Sequence, residues 1–518
     1  MRRVCGTICK SYIFLPFLYK NNMDCTEGYR MKKRISLLLL CALLLAGCAA
    51  ERQTDGGGDT GSTAGGADTE SVAETETSVY DSLVTEDFGG YTFHMLNGVS
   101  NYAYVLLTAE ELTGETINDA VYNRNSLVSD RLNVNLEEYI ADWNETTPTV
   151  DAMILAGDNA YDIFFDESQF SMQYVAKGNT ADLRTTEMQL DKPWWDAGSM
   201  ETMSLGDRLY TVNGDLHLMY GESAWVFYMN KQMLEDYSLE SPYTLVKEGK
   251  WTMDKAGELI RAVASDLNGD GKITTDDQFG LATHGDVSLA LLIGGGQSLL
   301  TKNAENIPQW SPLAEEVYNI SAKTHEIFFD TNVVFMDGMT PQGKNTAAVV
   351  NSNIIDHFSA GKSLFLCEVL GHAKILRGMD NDFGILPVPK YAEDADYTTF
   401  VARSAQVLMI PVTAGPDALH RTAVILDNLC AESFRTVRQA YYDVQLNGKT
   451  IRDEESRDML EIIFANRRYE MAYLFGLNDL GAAYLTATRN GSDLSSAVAK
   501  IEDKCKTTLA DTLSALGE

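Results

Sequence analysis

The chain has 518 residues, a formal net charge of −33 and 45% hydrophobic residues. So acidic a chain argues against binding to nucleic acid and against electrostatic adsorption to anionic lipid, because both surfaces are rich in phosphate. The length exceeds what one hydrophobic core can organise, and we therefore expect two domains.

The segment from Met31 to Cys48 has the pattern of a bacterial lipoprotein signal. Three basic residues precede an apolar run, which is shorter than the roughly 20 residues of a transmembrane helix. The run ends in Leu45-Ala46-Gly47-Cys48, where small residues admit a peptidase and the Cys48 thiol accepts a lipid. An ordinary signal peptide with a chance cysteine is the alternative. We predict lipidation of Cys48 and attachment to the extracellular face of the cell membrane.

The processing site divides the amino-terminal part of the sequence. We predict removal of residues 1–47, in which Met31 is the true start and residues 1–30 are an upstream extension. Residues 48–79 consist mainly of Gly, Ser, Thr, Ala and acidic residues, which bury too little apolar surface to offset the entropy of ordering. This stretch is predicted to be a flexible tether. The three later cysteines are too few for a disulfide scaffold.

Beyond the tether, predicted strands and helices alternate, which favours a largely parallel α/β sheet. The first strand covers residues 90–96 and is predicted to end in a turn at Asn97-Gly98. Further strands are predicted at residues 132–136, 161–165, 223–229, 383–389 and 405–410. Helices are predicted at residues 117–131, 150–155 and 251–264, and from Pro416 to the end.

Four segments together resemble the extracellular solute-binding proteins of ABC importers, the broad group that includes maltose-binding protein. The segments are Tyr161-Asp162-Ile163, Tyr228-Met229-Asn230-Lys231, Phe358 to Phe365, and Phe383 to Pro389. Their order and spacing carry the resemblance, which covers about residues 85–450. The lipoprotein signal and the tether fit the same group.

The resemblance implies a two-lobe periplasmic-binding-protein-like fold of type II, with a hinge and a ligand cleft between discontinuous lobes. Lobe 1 would comprise residues 80–215 and 400–455, and lobe 2 residues 216–399 and 456–518. The implied ligand is a carbohydrate, taken up by lobe closure and passed to the transmembrane subunits of an ABC permease. We expect the protein to act as a monomer.

Residues 266–277 resemble an EF-hand-like or dockerin-like calcium loop. Oxygen-bearing side chains stand at loop positions one, three and five, and Gly271 takes the position of the sharp turn. The predicted ligands are Asp266, Asn268, Asp270, Lys272 through its backbone carbonyl, and Asp277. Asp277 closes the loop where Glu is usual, so we expect a structural Ca²⁺ of modest affinity. A turn without metal is the alternative.

Tryptophans are candidate sugar-binding residues because the C–H face of a sugar ring packs on an aromatic plane. Trp225 lies on the strand that, by the resemblance, crosses between the lobes, and Glu222 and Ser223 stand beside it. Trp195 follows a proline in a polar loop. For any single tryptophan, a place in the hydrophobic core is the commoner outcome.

The ends of the predicted strands supply the other ligand-binding candidates, because ligands of open α/β sheets lie outside the carboxyl ends of the strands. This rule nominates Asn97, Gly98, Asp166, Ser168 and Gln169. The resemblance adds Glu368 by spacing, and Thr399 and Arg403 on the return crossing.

Catalytic motifs are largely absent. Gly361-Lys362-Ser363 lacks the earlier glycine of a phosphate-binding loop, and no zinc-protease or serine-hydrolase motif occurs. We therefore predict no catalytic residue and a binding protein rather than an enzyme. A secreted, calcium-stabilised glycoside hydrolase is the alternative, because two of the many carboxylates could flank a glycosidic bond at about 5–10 Å. A peptide or polyamine binder of the same fold is a weaker alternative.

Overall fold

Two β-sheets organise the part of the chain that our computed structural model describes, which comprises residues 80–99, 105–142, 144–337, 352–446 and 454–517. The predicted signal, Cys48 and the tether lie outside these residues. Within the described ranges, no helix combines the length and the apolar character that crossing a membrane requires.

The first sheet has four strands. They are β1 (Tyr91–Val99), β2 (Val134–Asp142), β3 (Ile163–Glu167) and β12 (Gln406–Met409). The strands lie in the order β12-β3-β1-β2, with β1 parallel to β2 and β3, and β12 antiparallel to β3. The parallel pairing brings the carboxyl ends of β1, β2 and β3 to one edge of the sheet.

The second sheet has five strands. They are β4 (Trp225–Asn230), β5 (Phe279–Thr283), β8 (Val334–Met336), β9 (Ser363–Val369) and β10 (Phe383–Leu386). Their order is β10-β4-β9-β5-β8, in which β5 runs parallel to β8 and β9, and β4 runs antiparallel to β9 and β10. Every residue of β4 and β5 is buried, as in a sheet that is covered on both faces.

Four two-residue strands form two further pairs. They are β6 (Thr301–Lys302) with β7 (Pro308–Gln309), and β11 (Thr399–Phe400) with β13 (Arg467–Arg468).

Helices cover the sheets and connect their strands. In chain order they are α1 (Thr116–Leu132), α2 (Thr146–Ala156), α3 (Ser168–Ala176), α4 (Ala197–Met203), α5 (Met219–Glu222), α6 (Lys231–Asp236), α7 (Pro242–Lys247), α8 (Met253–Val263), α9 (Val287–Gly294), α10 (Glu315–Phe328), α11 (Ser352–Ser359), α12 (Ala373–Leu376), α13 (Pro416–Glu432), α14 (Arg438–Leu446), α15 (Glu454–Ala465), α16 (Met471–Leu474), α17 (Asn478–Asn490), α18 (Leu494–Ala499) and α19 (Glu502–Ala515). Helix α8 illustrates why these segments form helices: the Thr252 side chain caps the first turn, and the apolar stripe of the helix is buried.

Two crossing segments connect the sheets. The chain leaves the first sheet after β3 and enters the second at β4, and it returns between β10 and β12. The crossings lie side by side, because Ala224 forms an antiparallel bridge with Val401 and the Ala402 N–H donates to the Ser223 carbonyl at 2.9 Å. The predicted fold class, two α/β lobes joined by adjacent crossings, is confirmed.

The predicted strands and long helices are present with shifted ends, but the turn predicted at Asn97-Gly98 is wrong. Both residues lie inside β1, where Asn97 pairs with Ile140 of β2 and Phe165 of β3. Gly98 serves close packing, because a Cβ there would approach the Thr146 hydroxyl to 2.5 Å and the Phe165 carbonyl to 2.6 Å.

The lobe boundaries remain a prediction, since the carboxyl-terminal helices contact elements beside both sheets. Helix α17 packs on α10, which precedes β8, whereas α19 packs on α3, which follows β3. Strand membership assigns β1–β3 and β12 to one sheet and β4, β5 and β8–β10 to the other.

Candidate functional site

Several predicted residues meet where the first sheet adjoins the return crossing. The Ser168 hydroxyl donates to the Arg403 carbonyl at 2.9 Å, and the Gln169 N–H donates to the same carbonyl at 3.3 Å. The Arg403 guanidinium lies over the Tyr473 ring at 4.8 Å. Ser223 contacts the same crossing through Ala402. The structure therefore brings the end of β3 and both crossings together.

Four side chains form a cluster at the corresponding edge of the second sheet, which we call the strand-edge cluster: Trp225, His284, Glu368 and His372. Trp225 opens β4, His284 directly follows β5, and Glu368 lies near the end of β9. The antiparallel register places Trp225 opposite Val369, so the start of β4 meets the ends of β5 and β9.

Glu368 lies between the two histidines. Its Oε2 is 3.2 Å from His284 Nε2, and its Oε1 is 3.4 Å from His372 Nδ1. Burial by itself would lower the pKa of His284, but the Glu368 carboxylate, with smaller contributions from Asp286 and Asp337, outweighs burial and raises that pKa to about 9. Burial lowers the pKa of His372, and Glu368 does not compensate. At neutral pH one histidine is therefore charged and the other neutral.

The Glu368 carboxylate remains ionised despite its burial. Its side chain is 3% exposed, and burial alone would raise its pKa, but His284 and His372 outweigh this effect and lower it. Glu222, 3.3 Å from Lys374, shows the opposite outcome, since burial raises its pKa more than Lys374 lowers it. Two carboxyl groups at this edge thus differ in their tendency to hold a proton.

Trp225 supports the cluster from the side of the crossings. Its ring centroid lies 5.0 Å from that of His284 and 6.3 Å from that of Phe400. The residue is 2% exposed, so the ring packs beneath His284. Its indole N–H is buried and has no hydrogen-bond partner among the described residues. A buried N–H without an acceptor is costly, and a ligand oxygen would satisfy it.

The edge of the first sheet holds another cluster of polar side chains, formed by Asn97, Glu138 and His217. The Asn97 amide donates to Glu138 Oε1 at 2.7 Å, and its Oδ1 lies 3.2 Å from His217 Nε2. Gln406 donates to the Gly98 carbonyl at 2.9 Å, which ties β12 to β1. Burial lowers the pKa of His217 to about 3, so this histidine is neutral.

The remaining predicted ligand-binding residues lie elsewhere. Asp166 turns inward onto Tyr174 and Thr147, and burial raises its pKa to about 6. Trp195 donates its indole N–H to Asp427 at 2.9 Å and lines a cavity apart from the strand-edge cluster. Thr399 is buried on β11 and contacts Asn466 through its backbone N–H.

The predicted calcium loop joins α8 to β5 and is closed by a bridge between Ser265 and Gln278. Asp266 accepts from the N–H groups of Gly269 and Gly271, each at 2.8 Å, and Asp277 accepts from Leu267 and Thr274. Each bond uses only part of a carboxylate's acceptor capacity, and carboxylate oxygens are the type of ligand that a hard cation prefers. Across the described residues, no group of three His, Cys, Asp or Glu side chains is placed to hold a metal ion.

Three histidines were not nominated from the sequence: His217, His284 and His372. His284 follows β5 directly, so the strand-end rule would have found it had Phe279–Thr283 been predicted as a strand. His372 stands four residues after Glu368, but Glu368 lies in β9 and His372 at the end of the short 3-10 turn that follows it, so no helical spacing marks the pair. His217 lies before β4 in an irregular segment, and no local pattern marks it.

No protein-family model matches the sequence, and no curated protein matches it. Solved structures do match the fold. Lmo0181, an ABC substrate-binding protein from Listeria monocytogenes in complex with cycloalternan, is 13% identical, with a TM-score of 0.51, over 81% of this chain and 99% of its own. UgpB from Mycobacterium tuberculosis, in complex with glycerophosphocholine, is 14% identical, with a TM-score of 0.51, over 82% and 99%.

A third match is RafE from Streptococcus pneumoniae, with 14% identity and a TM-score of 0.51 over 81% of this chain and 98% of its own. At these identities the likeness concerns the fold. The chain therefore has the two-lobe fold that these binding proteins share.

Proposed function

We propose that this chain is the extracellular solute-binding component of an ABC importer and that it captures a carbohydrate, specifically an oligosaccharide, between its lobes. The observation that carries the proposal is the strand-edge cluster. It offers an ionised carboxylate, a charged and a neutral histidine and a buried indole N–H without an acceptor, beside the two crossings. Sugar-binding neighbours such as Lmo0181 support the ligand class.

The exposed parts of the cluster determine how it would hold a sugar. The side chains of His372, His284 and Glu222 are 24%, 14% and 11% exposed, whereas Trp225 is almost fully buried. We therefore assign hydroxyl contacts to the two histidines and Glu222, and to Trp225 the support of His284 and one hydrogen bond through its indole N–H. Sugar hydroxyls both donate and accept, which suits this mixture of groups.

The mechanism we propose is lobe closure. A ligand that contacts both lobes stabilises the closed state by its differential affinity, and the closed state is the form that the permease would recognise. Adjacent crossings permit such a movement, because they concentrate the connection between the sheets in few residues.

The lipid anchor at Cys48 and the tether at residues 48–79 belong to the same proposal. Attachment to the outer face of the cell membrane would keep a monomeric binding protein close to the permease. The fold similarity supports an importer partner, and the lipoprotein pattern of the sequence supports the anchor.

A glycoside hydrolase is the second candidate, and one observation favours it. Glu222 has a raised pKa and Glu368 a lowered one, which is the pattern of an acid and an ionised partner. Against it, Glu368 is held by two histidines and is 3% exposed, which leaves little of the carboxylate to reach a sugar.

Binding without turnover distinguishes the two candidates. The purified full chain is incubated with labelled maltooligosaccharides, raffinose and glycerophosphocholine, and the bound material is recovered and identified. Saturable, stoichiometric binding of an unchanged carbohydrate supports the proposal, and thermal shift provides the first screen, because a bound ligand raises the melting temperature. Hydrolysis products, or binding of glycerophosphocholine alone, would contradict it.

We further propose that Ca²⁺ binds the loop at residues 266–277 and fixes the connection between α8 and β5. Chelation is expected to lower the melting temperature by about 2–4 °C, the equivalent of about 1 kcal/mol. Asp266→Asn should abolish this difference, whereas the control Asp276→Asn, at a side chain that is 74% exposed in the same loop, should keep it. A melting temperature that chelator leaves unchanged in the unsubstituted chain would remove Ca²⁺ from the proposal.

A further inference from the structure

A cavity with a volume of about 480 Å³ lies apart from the strand-edge cluster. Its walls come from residues 193–198, from the crossing at residues 215–221 and from helices α14 and α15. Neither Trp225, His284, Glu368 nor His372 is among the residues that line it. Its volume lies within the range of about 300–1,000 Å³ that is usual for small-molecule sites.

Aromatic rings supply much of the cavity wall. Trp195, Tyr220, Tyr442 and Phe464 line it, and the rings of Tyr442 and Phe464 meet edge to face with centroids 5.4 Å apart. Such surfaces accept the C–H groups of a ligand without requiring hydrogen bonds.

Two ion pairs supply the buried polar part of the wall, and the Glu461 carboxylate adds a negative charge at the surface. Arg467 Nη2 lies 2.6 Å from Asp196 Oδ2, and Arg438 Nη1 lies 3.3 Å from Asp215 Oδ2. The Tyr220 hydroxyl also donates to Asp215, at 2.8 Å. The two carboxylates thus already have partners, and each pair is neutral as a unit.

The guanidinium groups retain unused donors. The Nε–H groups of Arg438 and Arg467 are buried and have no hydrogen-bond partner among the described residues. The Arg467 side chain is only 9% exposed, so its Nε–H has little access to solvent. An unsatisfied buried donor costs about 1–3 kcal/mol, which an oxygen acceptor inside the cavity would recover.

We propose that this cavity is a second ligand site, which holds a neutral, hydroxyl-rich molecule of monosaccharide to disaccharide size. Ligand oxygens accept from the Nε–H groups of Arg438 and Arg467, and the ligand's C–H groups lie against Tyr442 and Phe464. An anionic ligand is disfavoured because both arginines are already paired with carboxylates and Glu461 adds a further negative charge to the wall. The inference stands on this cavity alone and does not require the proposed transport function.

Fluorine NMR separates the two sites. The full chain is labelled with fluorotryptophan, and Trp195→Phe and Trp225→Phe identify the resonances of the cavity and of the strand-edge cluster. The probes are D-glucose, D-glucosamine and D-glucuronate, which present the same ring as a neutral, a cationic and an anionic molecule. Glucose is expected to shift the Trp195 resonance saturably and at lower concentration than glucuronate.

Matched variants test the arginine donors. Arg438→Lys keeps the charge but removes the Nε–H, and we expect about tenfold weaker glucose binding at the Trp195 resonance, the equivalent of about 1.4 kcal/mol. The control Arg435→Lys, at a side chain that is 53% exposed and paired with Glu432, should bind as the unsubstituted chain does. Phe464→Leu removes one aromatic ring from the cavity wall and should also weaken glucose binding. This variant provides the test if Arg438→Lys does not fold.

Three results would overturn the proposal. They are a Trp195 resonance that none of the three sugars shifts, tighter binding of glucuronate than of glucose, and unchanged binding in both Arg438→Lys and Phe464→Leu. A shift of the Trp225 resonance alone would leave the transport proposal intact while removing the second site.

Discussion

Each sheet presents a histidine close to a glutamate at the carboxyl ends of its strands, yet the two histidines differ in charge. His284 contacts Glu368 directly at 3.2 Å, and its pKa is raised to about 9. His217 reaches Glu138 only through the Asn97 amide, and its pKa is lowered to about 3. Burial penalises the charged form of both side chains. A carboxylate in direct contact with the histidine overcomes that penalty and raises its pKa. When one amide separates the two groups, the carboxylate does not raise the pKa of the histidine.

The largest expected effect comes from removing the direct carboxylate. Glu368→Gln should lower the pKa of His284 from about 9, because the largest raising contribution is lost while those of Asp286 and Asp337 remain, and should lower the free energy of unfolding by about 3 kcal/mol. NMR titration of the His284 ring and chemical denaturation measure the two quantities.

The control for this variant is a histidine–glutamate pair at the surface. Glu137 lies 3.7 Å from His94 and its side chain is 53% exposed, so Glu137→Gln should change stability by less than about 1 kcal/mol. Equal decreases in the free energy of unfolding of the two variants would mean that burial of the Glu368–His284 pair does not increase its contribution to stability.

The two edges should also respond to pH in opposite directions. The folded pKa of His284, about 9, exceeds its unfolded value of about 6.5, so its contribution is complete below pH 6.5 and is lost as pH rises through 9. His217, with a folded pKa of about 3, contributes above pH 6.5 and loses this contribution as pH falls towards 3.

Difference measurements isolate these contributions from the many other titrating groups. The free energy of unfolding of the unsubstituted chain, minus that of His284→Gln, should fall between pH 6.5 and 9, and the difference for His217→Gln should fall from pH 6.5 downwards. A difference that is flat over its range would contradict the assignment for that histidine.

An exchange of amide and carboxylate provides the sharpest test of the comparison. In the double variant Asn97→Asp with Glu138→Gln, His217 meets a carboxylate directly, as His284 does. Its pKa should rise from about 3 to above 6.5, because the net charge of the group is unchanged and only the position of the carboxylate differs. Ring titration by NMR reads the result, and a His217 that remains neutral at pH 6 would assign the difference to burial rather than to contact.

The sequence predicted the elements better than the contacts. The long helices and most strands are evident from periodic apolar residues, and the strand-end rule located the edge of the first sheet. The turn prediction failed at Asn97-Gly98, because the same two residue types occur in exposed hairpin turns and at close backbone approaches inside buried strands. A pattern of two residues cannot distinguish these uses.

The histidines were missed for a different reason. Whether His284 is a core residue or a charged group depends on Glu368, which lies 84 positions away in the chain. Likewise the depth of Trp225 is set by Phe400 and His284, from two other segments. Long-range packing decides both properties, and no local pattern encodes it.

The smallest expected effect concerns the single unsatisfied donor of the strand-edge cluster. Trp225→Phe keeps a ring beneath His284 but removes the indole N–H, so the affinity for a carbohydrate should fall about fivefold, the equivalent of about 1 kcal/mol, with stability nearly unchanged. Trp251→Phe is the matched control, because the Trp251 indole N–H already donates to the Pro387 carbonyl at 2.9 Å. Its loss should lower stability and leave affinity unchanged. Calorimetric titration and thermal melting of both variants separate the outcomes, and a Trp225→Phe variant with unaltered affinity would place this N–H in the core of the second sheet and leave the histidines and Glu222 to bind the ligand.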